Sequence, residues 1–184
     1  IEQLIETIQT FQRAVTNAAS VAGYLGASFD DAREKIAHLA VAIGTTTVYS
    51  AQDAARSLYS LASAGFDVVN MTARDLIPMV NYAAATQIDL DMAIQGVTKT
   101  MRQFGLSFED ANQIVDTFTG VITRTYATAD KLYESLKYVG SIAGELNQDL
   151  ATVSAALGVL YNRGLEGGQA GQRLNMIFSL SLIH

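Results

Sequence analysis

Cysteine is absent from the 184 residues, and proline occurs once, at Pro78. The first absence excludes disulfides and thiolate metal sites. The second leaves little to interrupt a helix. Charge is also sparse: Asp, Glu, Lys and Arg together make up 16% of the chain, with a net charge of -6. An acidic chain of this kind has no general attraction to nucleic acid or to anionic lipid. Histidine is limited to His38 and His184; no His-Glu-x-x-His motif occurs, and no Ser-His-acid triad is assembled around the one internal histidine. The start lacks the basic segment and apolar stretch of a signal peptide. The closing apolar run, from Leu174 to Ile183, falls short of the about 20 residues that span a bilayer. It is read as a core helix cut by the end of the sequence, the alternative being the opening of a longer membrane-seeking segment.

Hydrophobic residues make up 49%, a globular composition rich in alanine and therefore in helix. The helix starts are written in one pattern, Ser-x-x-Asp-Ala, at Ser28–Ala32, Ser50–Ala54 and Ser107–Ala111. The serine accepts a bond from an unpaired amide of the first turn, and the aspartate can reach back to the cap. Asp89 and Asp149 can start helices without the full box. The expected stops are Gly44, Gly65, Gly105 and Gly164, the last three each followed by an apolar residue. Pro78 is expected in a first turn or at a kink near residue 77. These signals predict an all-α fold, a multi-helix bundle of short helices with glycine stops. The helices around 73–86 and 128–146 do not keep the spacing of the others, so a solenoid is not expected.

Residues 1–27 are set apart. Ile1, Leu4, Ile8, Phe11, Val15, Ala18, Ala22 and Leu25 alternate at three and four, a heptad seam that weakens to alanine. Two readings stay open, self-association through Ile1, Leu4, Ile8, Phe11 and Val15, or an amphipathic helix packing on its own domain. The expected organisation is this helix followed by a helical core domain over 28–184, the whole a fragment of a longer protein.

No chemistry is assembled. His38 has only Glu34 at ligand spacing on its turn. The carboxylate pairs Asp30–Asp31, Asp89–Asp91 and Glu109–Asp110 each sit where a helix begins, which accounts for them structurally. Asp89-Leu90-Asp91 lacks the further ligands of a calcium loop. Gly164, Gly167, Gly168 and Gly171 form neither a phosphate loop nor a dinucleotide fingerprint, since no Gly-Lys-Ser/Thr and no preceding strand occur. They are read as a tight interhelical turn, with Arg163 and Arg173 either able to meet a partner carboxylate or simply solvated. No catalytic residue, cofactor or metal ligand is expected.

The pieces Leu39–Thr47, Ser50–Ala55, Leu61–Phe66, Phe104–Leu106, Leu136–Gly140 and Gly164–Arg173, taken in order, resemble the core helical domain of tail tape measure proteins of long-tailed bacteriophages and prophages. The resemblance covers about Phe11 to Phe178. Where such proteins commonly have a proline after Tyr-Val-Gly, this chain has Ser141, so its helix is expected to run on through Gly140. The resemblance implies a virion structural protein rather than an enzyme. Such proteins lie along the tail lumen as a few parallel copies. They set tail length, are surrounded by the polymerising tube and leave ahead of the DNA. The implied partners are further copies of itself and the tail tube and tail-tip proteins, with no specific nucleic-acid binding. Membrane contact is expected only through segments outside these residues. The implied location is the virion tail, assembled in the host cytoplasm. Two other classes are weighed beside this one: a helical adaptor that binds a partner helix, and a non-catalytic region of a tail-associated hydrolase.

Overall fold

A computed structural model describes residues 2–23 and 28–181, with the backbone alone at Leu4. Among these residues the fold is all-α, with no strand. The helices are α1 (Glu2–Gly23), α2 (Phe29–Thr46), α3 (Ala51–Ser63), α4 (Ala73–Thr86) and α5 (Leu90–Phe104). A 3-10 turn, Phe108–Asp110, leads into α6 (Ala111–Arg124). Then come α7 (Ala129–Glu145), α8 (Leu150–Asn162) and α9 (Gly167–Ser181).

The caps explain the starts. Ser50 Oγ accepts the Asp53 amide at 3.1 Å while Asp53 accepts the Ser50 amide at 3.2 Å, a reciprocal box at the head of α3. Ser28 and Asp149 accept amides three residues on, at 3.3 and 3.0 Å. Thr72 and Ser107 hand their amides to Asp75 and Asp110, each at 2.7 Å. The bond from the Ser107 amide, and then that from its hydroxyl, hold the Asp110 carboxyl below its usual range.

The stops differ from expectation in two ways. Gly65, Gly105 and Gly164 take the left-handed conformation (φ +85°, +65° and +84°). The amides of Phe66, Leu106 and Leu165 reach back to Leu61, Met101 and Leu160 in Schellman closures. Two further closures use polar residues, Gln87 (φ 57°) and Asn147 (φ 51°), at the ends expected near 86 and 146, where no stop residue was named. Gly44, expected to end α2, lies inside it, and α2 continues to Thr46. A Cβ at Gly44 would lie 2.5 Å from the Ala51 nitrogen, so its smallness admits the head of α3. Pro78 sits within α4, past the first turn. α7 runs unbroken through Gly140.

The chain divides into two compact units, residues 1–95 and 96–184, with the boundary inside α5. α1 belongs to the first unit and packs there on α2 and α3. In that unit Val15, Ala18 and Ala22 of α1 are buried, together with Ile36, Ile43, Leu58 and Leu61 from α2 and α3. In the second unit α7 packs on α9, and α8 on α6 and α9. The Phe118 ring meets Tyr133 edge-on, with centroids 5.8 Å apart. Gln103 donates to the Leu136 carbonyl at 3.1 Å, lying over Gly140 and Gly144 where a Cβ would collide with it.

Candidate functional site

Two places carry the residues singled out by sequence. The first is the α1 seam. Val15 is buried within its own unit, Phe11 is half-buried, and Ile8 is 47% exposed, as is its neighbour Ile5 at 49%. Ile1, Leu25 and the side chain of Leu4 lie outside the described residues. The heptad pattern thus serves two surroundings: its C-terminal half is core, and its N-terminal half presents isoleucines to solvent.

The second place is the glycine segment. Gly164 ends α8, but Gly167, Gly168 and Gly171 are not part of that turn; they lie in α9 with ordinary helical backbone. Their role is close approach. Gly167 and Gly171, one helical turn apart, face Lys131 and Ser135, one turn apart on α7. A Cβ at Gly167 would sit 2.6 Å from the Lys131 oxygen, and one at Gly171 2.7 Å from the Ser135 Cα. Small residues at this spacing let two helix backbones touch.

Hydrogen bonds fix the register. Ser135 Oγ donates to the Gly167 carbonyl at 2.6 Å and accepts from the Tyr161 hydroxyl at 2.6 Å. The Lys131 carbonyl lies 3.1 Å from the same hydroxyl and shares its single proton. Further along, the Asn175 amide donates to the Tyr138 carbonyl. Lys131 also pairs with Glu166, in the residues between α8 and α9, at 3.0 Å. Burial pushes the Tyr161 phenol up to about 12; the Ser135 bond opposes this and the Glu134 charge adds to it. A phenol so raised stays protonated at neutral pH, and Ser135 Oγ gives its proton to the Gly167 carbonyl. The arrangement is a clasp.

Sequence reading missed Ser135, Tyr161 and Asn175. The Gly167-x-x-x-Gly171 spacing was the visible sign of close helix packing. The carboxylate pairs remain at helix starts: Asp91 accepts from Ser60 and Gln95, and Asp110 from Ser107. His38 is exposed on α2. Among the described residues no group of three His, Cys, Asp or Glu can hold a metal, and no helix is long and apolar enough to cross a membrane.

The phage-related minor tail protein family matches residues 37–181, from the middle of α2 to the end of α9. The chain belongs to this family. It is also 31% identical over 136 residues to a protein named "Tape measure protein" of Pneumococcus phage Dp-1. That match covers 73% of this chain and 12% of the relative, so the chain spans about an eighth of the relative's length. No solved structure matches. The family match takes in the α7–α9 clasp and stops short of α1.

Proposed function

We propose that the chain is a folded, non-enzymatic module of a tape measure protein. In this reading the full-length protein sets tail length and occupies the tail lumen or tip until DNA is ejected. The observation that carries it is the 136-residue similarity to a protein of that name, over most of this chain. In the virion tail its partners are a few parallel copies of itself, through the exposed end of the α1 seam, and the tail tube and tail-tip proteins.

The fold adds a distinction within that role. A single continuous helix gains 1.5 Å per residue, so 145 residues drawn out as one rod would measure roughly 220 Å. Here the helices run 13–22 residues before a stop and fold into compact units. Such a module contributes little to length and acts as an assembly or docking element, while ruler length resides elsewhere in the protein.

The test is an in-frame deletion of residues 37–181 in a phage carrying the gene, with tails counted and measured by electron microscopy. The expected result is a steep fall in complete tails. Normal numbers of tails shortened by about 220 Å would make the segment an extended ruler instead. Unchanged tails with full infectivity would remove it from assembly altogether.

A further inference from the structure

The helices from α3 onward repeat as a unit of three, a periodicity hidden by one extra turn and by exchanged caps. Ser50, Ser107 and Glu166 each precede the first helix of a unit, 57 and 59 residues apart. Thr72 and Thr128 precede the second helices, α4 and α7. Left-handed Gln87 and Asn147 close those helices, each two residues before an aspartate and a buried leucine, Leu90 or Leu150. The third helices, α5 and α8, bury matched positions: Ala93 with Val153, Val97 with Leu157, and Met101 with Tyr161. Gly105-Leu106 and Gly164-Leu165 then end them with the same closure.

On this alignment α9 is equivalent to α3 and α6, the first helix of a unit. Its packing departs from theirs in one respect. Leu58, Val115 and Leu174 occupy one position and all are buried. Leu61, Phe118 and Ile177 occupy the next; Leu61 and Phe118 are fully buried, but Ile177 is 57% exposed. Val121 is buried on α6, and its counterpart Leu180 is 56% exposed. The second repeat, α6 to α8, shows what provides the cover. Phe118 meets Tyr133 of α7, and Val121 lies against Gly158 of α8, so in this repeat later helices do it, while α3 also packs on α1 and α2 before it.

We infer that α9 opens a third unit, and that the face of Ile177 and Leu180 is covered by the second and third helices of that unit, further along the same polypeptide. The relative's length, about eight times the matched stretch, leaves ample chain for them. The caps of the second helices lie 22 and 21 residues after the first cap, which places the next helix cap at about residue 187. That helix presents an aromatic or large aliphatic residue to Ile177, as Tyr133 does to Phe118. It also offers an acidic group or a solvent outlet to Arg173, which stands where α6 has buried Ile114. The inference rests on the repeat and not on the role in tail assembly, so either can fail without the other.

The test is maleimide labelling of the full-length protein carrying Ile177→Cys or Leu180→Cys, compared with Tyr126→Cys at a residue 78% exposed. The parent protein gives the background, and unchanged circular dichroism shows that each variant folds. The expected result is labelling at least tenfold slower at 177 and 180 than at 126, independent of protein concentration. Equal rates would mean that the face is open and would overturn the inference. Protection lost on dilution would assign the cover to a second copy and overturn it equally.

Discussion

The α7–α9 clasp makes a prediction opposite to that of helix propensity. Glycine in a helix interior costs about 1 kcal/mol relative to alanine, so Gly171→Ala ought to stabilise the chain if α9 stood alone. In the fold, the added Cβ lies 2.7 Å from the Ser135 Cα and 2.9 Å from its carbonyl carbon. These are backbone atoms in the middle of α7, and no side-chain rotation relieves them. α9 must retreat by roughly 1 Å to restore carbon contacts of about 3.5 Å. That retreat strains the Ser135–Gly167 and Asn175–Tyr138 hydrogen bonds, each contributing about 1 kcal/mol. Overpacking adds about 1–3 kcal/mol, so after the propensity gain the variant is expected to lose about 1–3 kcal/mol. Gly120→Ala on α6 is the control: a Cβ there meets only Arg124 Nη1, at 3.8 Å, and should gain about 0.5–1 kcal/mol. Urea unfolding of both variants, compared at unchanged slope, separates the two effects. A Gly171→Ala midpoint at or above the parent's would show that the glycines are not there for close approach.

Three further outcomes follow from single groups. Ser154 is fully buried with no partner for its hydroxyl, at the position Ile94 holds in the preceding repeat. Ser154→Ala should therefore raise stability by about 1 kcal/mol in thermal or urea unfolding, and a loss would mean that the hydroxyl is satisfied. The folded state holds the Tyr161 proton more tightly than the unfolded state, about 12 against 10, so its contribution is complete below pH 10 and is lost as pH rises toward 12. Subtracting the stability of Tyr161→Phe from that of the parent across this range should show a decline of about 2–3 kcal/mol, and a flat difference refutes the assignment. Replacing Ile8 and Phe11 together by alanine should leave the helical signal intact and weaken self-association in sedimentation. Unchanged sedimentation would remove the seam as an interface.

Caps were the most legible part of the fold, because a Ser or Asp whose side chain accepts an amide two or three residues on works locally, whatever packs around it. The stops at Gly65, Gly105 and Gly164 were equally plain. Those at Gln87 and Asn147 were not, since a polar residue in left-handed backbone carries no mark that separates it from one on a helix surface. Gly44, Gly167, Gly168 and Gly171 misled for the reverse reason: sequence shows that a side chain is missing, and only the neighbour shows whether its absence frees the backbone or makes room. The seam had the same ambiguity. A heptad specifies an apolar stripe, and nothing in its period says that Val15 is buried while Ile8 stays exposed. The clasp was hardest to foresee, because Ser135, Tyr161 and Gly167 are brought together only by packing helices 26 to 32 residues apart in sequence.

The local character of every helix ending has a mechanical corollary. Each Schellman closure ties residues only five apart, and no disulfide joins distant parts. Tension applied along the chain therefore meets no disulfide crosslink. What resists is the packing of apolar faces and the glycine clasp, both short in reach and lost within a few ångströms of separation. A chain built in this way is expected to come apart segment by segment when pulled, each helix yielding as its packing is lost.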